Sequence, residues 1–176
     1  MRKKSKYKPK GVRLDNLTYI VSGMKKVGSL QSAGVLLKIK NHEALDTLLT
    51  GNATREHVDI LIAAVNMSEA LIRVRDDLGI DWANEIKAAQ DAIYTMSKRG
   101  LEKNRFIFTG PEMTAVKLAM DIHDAQLDGC TVKEMEQALF IVQEEIRLRK
   151  ARAIGEYPKF PKPKPRQIPM KFVFED

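Results

Sequence analysis

Residues 54–78 read TREHVDILIAAVNMSEALIRVRDDL. Wound at about 3.6 residues per turn, the stretch gathers Arg55, Asp59, Asn66, Glu69 and Arg73 into one narrow arc. Val58, Ile60, Leu61, Ala64, Val65, Met67, Leu71, Ile72 and Val74 cover most of the remaining circumference. A helix apolar on several sides has to be wrapped, because only neighbouring elements take that much surface out of water. The stretch therefore predicts the central post of a helical bundle. Thr54 is its expected N-cap, and Gly79 is expected to stop it in a left-handed conformation.

The flanking segments supply the wrapping. Residues 29–50 read as helix with Leu30, Ala33, Leu37, Ala44 and Leu48 on one side, and Gly51 closes it. Asn41 falls inside that face and predicts a break with a restart there. Residues 81–99 place Trp82, Ile86, Ala89, Ile93 and Met96 on one stripe, which makes Trp82 a core residue. Thr109, Pro111 and Glu112 announce a helix to about Gly129 through a capping box with proline in the first turn. On it, Lys117, Asp121, Asp124 and Asp128 form a narrow polar stripe opposite Val116, Met120 and Leu127, with His123 and Gln126 in or beside the apolar arc. Thr131 and Glu134 repeat the box and open a helix to about Arg152. Its expected core side is Val132, Met135, Ala138, Leu139, Val142 and Ile146. Phe140, Ile141 and Leu148 point elsewhere and mark a second contact surface, for a partner or for the chain's own tail.

Two segments break the helical period. Residues 14–24 carry two readings, a short helix capped by Asp15 or a strand over Thr18, Tyr19, Ile20 and Val21. Residues 105–109, RFIFT, alternate aromatics around a β-branched residue and predict a short strand. The pattern returns at Lys171-Phe172-Val173-Phe174, so 105–109 and 171–175 are expected to pair as a minor two-stranded ribbon, the rival being strand addition to a partner or a neighbouring subunit. The fold class that follows is all-α: a single bundle of about five helices around 54–78. The helical domain spans 14–152, between a basic arm at 1–13 and a proline-lysine tail at 153–176.

The 176 residues suffice for one domain with a sizeable core. The longest apolar run, residues 60–65, is far too short to span a bilayer. The basic start MRKKSKYKPK is followed by no hydrophobic segment, which argues against a secretory signal. The single cysteine, Cys130, forbids an internal disulfide, suits a reducing cytosol and reads as a small residue at a turn.

Charge is divided unevenly. Residues 1–13 sum to +7, residues 147–176 to +6 and residues 14–146 to −6, within a total of +7. An acidic body between basic ends is a pattern that suits phosphate contact. The candidate contacts are Arg2, Lys3, Lys4, Lys6, Lys8, Lys10 and Arg13 at one end, with Tyr7 placed to stack on a base. At the other end they are Arg147, Arg149, Lys150, Arg152, Lys162, Lys164 and Arg166. The same charges also suit an acidic protein surface, including the chain's own. Residues 158–169, PKFPKPKPRQIP, read as a stiff polyproline-like spacer.

Catalytic chemistry finds little support. No phosphate-binding loop follows any glycine, and no nucleophile-base signature is present. His42, His57 and His123 fall on three different helices without the i, i+4 companion of helical metal motifs, so they are expected to be ordinary histidines rather than zinc ligands. The Asp121/Asp124/Asp128 stripe reads as a solvated face or a mimic of a phosphate backbone. The expectation is a non-enzyme with no cofactor, no metal, no membrane and no small-molecule substrate.

Four runs resemble a recurrent group of uncharacterised small basic proteins encoded by tailed bacteriophages and prophages: RKKSKYKPKGVRLDN (2–16), LKIKNHEAL (37–45), TLLTGNATREHVDILIAAVNMSEAL (47–71) and MDIHDAQLDGCTVKEMEQAL (120–139). The resemblance extends to about residue 145 and omits the proline-lysine tail. It implies a phage setting, hence the bacterial host cytoplasm or a virion, and assigns no residue a role. The leading expectation is a regulatory protein that binds nucleic acid or a host nucleoprotein machine, the transcription apparatus first. A second is an inhibitor of a host defence or housekeeping complex, in which the Asp121/Asp124/Asp128 stripe competes for a nucleic-acid groove and Phe140, Ile141 and Leu148 dock on protein; Phe172 and Phe174 are further candidate protein contacts. A third is a minor virion or assembly component, self-associating through its tails.

Overall fold

The computed structural model describes residues 21–29, 33–148 and 150, and the structural statements below concern these residues. Five α-helices carry the fold: α1 (Ala33–Thr50), α2 (Arg55–Val74), α3 (Ala83–Lys103), α4 (Gly110–Gly129) and α5 (Val132–Arg147). Short 3-10 turns sit at Val27–Ser29, Asp76–Leu78 and Ile80–Trp82. The protein is an all-α bundle, and α2 is its centre, packed by α1, α3, α4 and α5.

The reason for that position is the one read from residues 54–78. Val58, Leu61, Ala64, Val65, Ala70, Leu71 and Ile72 are all buried, and Ser68 is buried with them. They serve two cores. The larger joins α2 to Ala44, Leu45 and Leu48 of α1, Ile86, Ala89, Ile93 and Met96 of α3, and Val116, Ala119 and Met120 of α4. The smaller joins Ala70 and Leu71 to Val27, Leu78, Leu127, Cys130 and Ala138. Thr54 is the N-cap, and His57 Nδ1 accepts its backbone N–H at 3.1 Å.

α2 ends earlier than expected. Arg75 is extended at φ −156°, and Gly79, at φ 125°, closes the following 3-10 turn rather than the helix. The extended Arg75 reaches Asp77 at 2.6 Å, Glu134 at 2.7 Å and the Gly129 carbonyl at 3.3 Å, which a helical residue there would forgo. α1 shows no break: Asn41 lies buried within it. Leu37 does not belong to its core side. Lys38 meets Asp128 and His42 meets Asp124, so α1 runs antiparallel to α4 and its first turns overhang α4's end at Gly129. Val35, Leu36, Leu37 and Ile39 are exposed.

Trp82 is also not core. It caps α3 from a 3-10 turn and is 47 % exposed, while Ile86, Ala89, Ile93 and Met96 keep the expected stripe. Residues 105–109 form no strand among the described residues. Phe106 and Phe108 turn inward, and Arg99 donates to the Ile107 carbonyl at 2.8 Å, doing with a side chain what a strand partner would do. Gly100 makes room for this return: a Cβ there would come within 2.2 Å of the Phe106 ring. The proposed partner, 171–175, lies outside the described residues. The one bridge among those residues instead pairs Lys26 with Thr131, through Val27 N–H to Cys130 O and Val132 N–H to Lys25 O, both 2.9 Å. Val21 to Gly23 are helical, against the strand reading of Val21. The rest of that ambiguous segment, and the bounds expected for arm and tail, lie outside the described residues.

α5 differs from its expected form in length and in face. It ends at Arg147, and only Ala138 on it is fully buried. Met135, Ile141 and Val142 pack against the smaller core, while Leu139 and Ile146 stay exposed. A helix resting on α2 needs only one narrow apolar stripe, and that stripe is rotated toward Ile141.

Candidate interaction site

Part of the polar arc of α2 lines a groove, while Arg55 and Asp59 are exposed. Asn66, Glu69 and Arg73 line this groove, of about 250 Å3, between α3 and α5, with α2 as the floor. Ile62, Val65 and Ile93 form an apolar base, Val142 and Ile146 one wall, and Tyr94 the other. Lys98 stands 5.1 Å from the centre of the Tyr94 ring, a cation over an aromatic face. Hydrogen bonds span the groove from side to side. Gln90 Nε2 donates to Asn66 Oδ1 at 3.2 Å and to Glu69 Oε2 at 2.7 Å. Arg73 donates to Glu69 Oε1 at 2.6 Å and to Glu145 Oε1 at 2.5 Å.

This network fixes protonation. Partial burial works to raise the Glu69 carboxyl, but hydrogen bonds from Gln90 and Arg73 outweigh it and hold the group below the ordinary carboxylate range. Arg73 is driven the other way, first by its hydrogen bond to Glu145 and then by Glu69. Both carboxylates are thus committed to one guanidinium. The groove offers apolar contact and oriented amides, the features of a binding cleft.

A second polar cluster is sealed inside the bundle. Ser68 Oγ and His123 Nδ1 share a 3.0 Å hydrogen bond, and Gln126 Nε2 donates to the Ser68 carbonyl at 3.1 Å and the Leu78 carbonyl at 2.8 Å. Burial pushes the His123 imidazole down to about 4, against a smaller upward pull from Asp124. The cluster holds α4 to α2 and to the turn that follows it. Cys130 closes α4 as the expected small turn residue, and burial raises its thiol to about 11.

The three histidines each have separate work: His42 on Asp124 at 2.9 Å, His57 at the α2 cap and His123 in the sealed cluster. No group of metal-ligating side chains gathers among the described residues. The acidic stripe of α4 is engaged in part: α1 lays Lys38 on Asp128 at 2.8 Å and His42 on Asp124, while Asp121 and Asp128 remain exposed.

Of the residues expected to meet phosphate, Arg2, Lys3, Lys4, Lys6, Tyr7, Lys8, Lys10, Arg13, Arg149, Arg152, Lys162, Lys164 and Arg166 lie outside the described residues, as do Phe172 and Phe174. Arg147 donates from Nε to Glu144 at 2.8 Å and again through its second nitrogen, so its charge is matched within α5. Lys150 stands exposed on the rim of the groove. Phe140 and Leu148 are half-buried, and Ile141 contributes to the smaller core. Gln90 and Tyr94 went unnoticed in the sequence; their i, i+4 spacing on α3 was the available signal. No described helix is long and apolar enough to cross a membrane. No family model, curated protein or solved structure matches the chain.

Proposed function

We propose that this chain is a non-enzymatic phage regulatory protein whose helical body carries two basic ends to nucleic acid or to a host nucleoprotein machine, with the transcription apparatus the first candidate. One observation supports this reading above the others: four of the body's arginines are held by the body's own carboxylates. Arg73 is taken by Glu69 and Glu145, Arg75 by Asp77 and Glu134, Arg99 by Glu112, and Arg147 by Glu144. In the sequence, residues 1–13 hold seven bases and no acid, and residues 149–171 hold eight bases and one acid. Contacts of this kind give affinity and positioning without reading bases.

The test is a binding isotherm for full-length protein on duplex DNA and on single-stranded RNA across a salt series. If about six phosphates are neutralised, affinity drops roughly a thousandfold between about 50 and 200 mM salt. Removing residues 1–13 abolishes that binding. An isotherm indifferent to salt overturns the reading. A second reading, inhibition of a host complex by protein contact, is favoured by the groove between α3 and α5, with exposed Ile146 at its edge. Under it, removal of 1–13 leaves activity intact and Ile146→Glu destroys it.

A further inference from the structure

Leaving α2, the chain makes two 3-10 turns before α3 starts, and this junction presents its apolar residues outward. Ile80 is 53 % and Trp82 47 % exposed. The junction is nonetheless firmly seated: Leu78 is buried in the smaller core, and Gln126 holds its carbonyl at 2.8 Å. Asp76, Asp77 and Asp81 belong to the same short junction and are exposed. Arg75 takes Asp77, while Asp76 and Asp81 make no ion pair among the described residues. A half-exposed tryptophan in a junction that also carries three exposed carboxylates is suited to an apolar ligand that carries cations, since tryptophan supplies large rigid contact area and also attracts positive charge to its face.

The same chain contains a segment of that chemistry. Residues 157–174 hold five basic residues and no acid, and PKFPKP at 158–163 sets Pro158 and Pro161 three apart. Wound as a polyproline helix of about three residues per turn, this stretch would set Pro158 and Pro161 on one edge, Phe160 and Pro163 on the next, and Lys159 and Lys162 on the third. Proline-rich segments dock on aromatic surfaces in this way because their extended form loses little entropy on binding. Distance permits it. Lys150 and Gln90 line the same groove, and Trp82 lies eight residues before Gln90, about 12 Å along a helix. The eight residues from Lys150 to Pro158 reach about 26 Å when extended.

We propose that residues 158–166 dock on Ile80 and Trp82 of their own chain, with the prolines against the indole and Lys159 and Lys162 facing Asp76 and Asp81. The contact stands independently of polyanion binding. Where both operate, the docked lysines are withheld from phosphate until a polyanion displaces them, and the contact is autoinhibitory.

Trp82 is the one tryptophan in the chain, so fluorescence reads this surface directly. In the full-length protein at low salt, Trp82 emission is blue-shifted and acrylamide quenching is slow. In K159E/K162E, and separately in D76N/D81N, the quenching constant rises about twofold and the emission moves to the red. Charge exchange, D76K/D81K combined with K159E/K162E, restores the shielded state. Lys117→Glu, on the exposed stripe of α4, changes nothing. Equal quenching in wild type and K159E/K162E overturns the proposal. So does shielding that grows with protein concentration, because that assigns the segment to a second copy.

Discussion

α4 and α5 begin with the same device and end in different circumstances. In each, a threonine N-cap sends its backbone N–H to a glutamate three residues on, at 2.7 Å in both. Each glutamate is also held by an arginine from an earlier part of the chain: Glu112 by Arg99 at 2.7 and 3.0 Å, and Glu134 by Arg75 at 2.7 Å. Beyond the first turn they part. α4 buries Val116, Ala119, Met120, Ile122, His123, Gln126 and Leu127, whereas α5 fully buries Ala138 alone. The difference teaches that a capping box says where a helix starts and nothing about how deeply it is held. α4 lies against α1, α2 and α3; α5 rests chiefly on α2.

The largest expected effect sets the two helices against each other directly. Met120→Ala in α4 opens a cavity in the larger core and costs about 2–5 kcal/mol in urea unfolding. Val142→Ala in α5, at a half-buried site, costs under about 1 kcal/mol. Comparable losses would show that α5 is as deeply engaged as α4 and dissolve the contrast.

The next effect depends on pH and is confined to α4. His123, held at about 4 in the fold against its ordinary value of 6.5, is neutral in both states above pH 6.5. As pH falls through that value the unfolded chain takes up a proton that the folded chain refuses, and stability declines until the pH passes the folded value. The loss amounts to about 3 kcal/mol at most. Glu69, Glu112 and Glu134, all held below the ordinary carboxylate value of 4.5, lose their own contribution only at lower pH. The window from pH 6.5 to 5 therefore belongs mainly to His123. His123→Gln flattens the melting temperature across that window, and a variant as acid-sensitive as wild type would assign the loss elsewhere.

The smallest effect falls on what the helices share. Thr109→Ala and Thr131→Ala each cost about 1 kcal/mol, measured by chemical denaturation, and the two costs match. A much larger loss at Thr131 would mean that α5, lightly packed, depends on its cap in a way that α4 does not.

Most of the helical order was legible before any coordinates, and the candidate site was legible only in part. The arc of Asn66, Glu69 and Arg73 stood out as polar, but the pattern could not say that α3 and α5 would stand on either side of it. RFIFT shows the opposite failure. Its alternation was real, with Phe106 and Phe108 buried on one side, yet alternation describes side-chain direction and not a pairing partner. Trp82 fits its stripe by spacing but precedes the first helical residue, so the stripe's geometry does not apply to it.

The chain by itself determined that α2 is central, that five helices surround or form the core, and where α2, α4 and α5 begin. These follow from one helix's excess of apolar surface and from backbone N–H groups that need an acceptor within the same few residues. Only the tertiary structure decided where α2 stops, which face of α1 and α5 is covered, and which carboxylate each arginine takes. Those outcomes depend on partners far along the chain, such as Lys38 with Asp128 across 90 residues and Arg75 with Glu134 across 59. Burial and ion pairing are properties of what comes to lie alongside, and no local pattern contains its own neighbours.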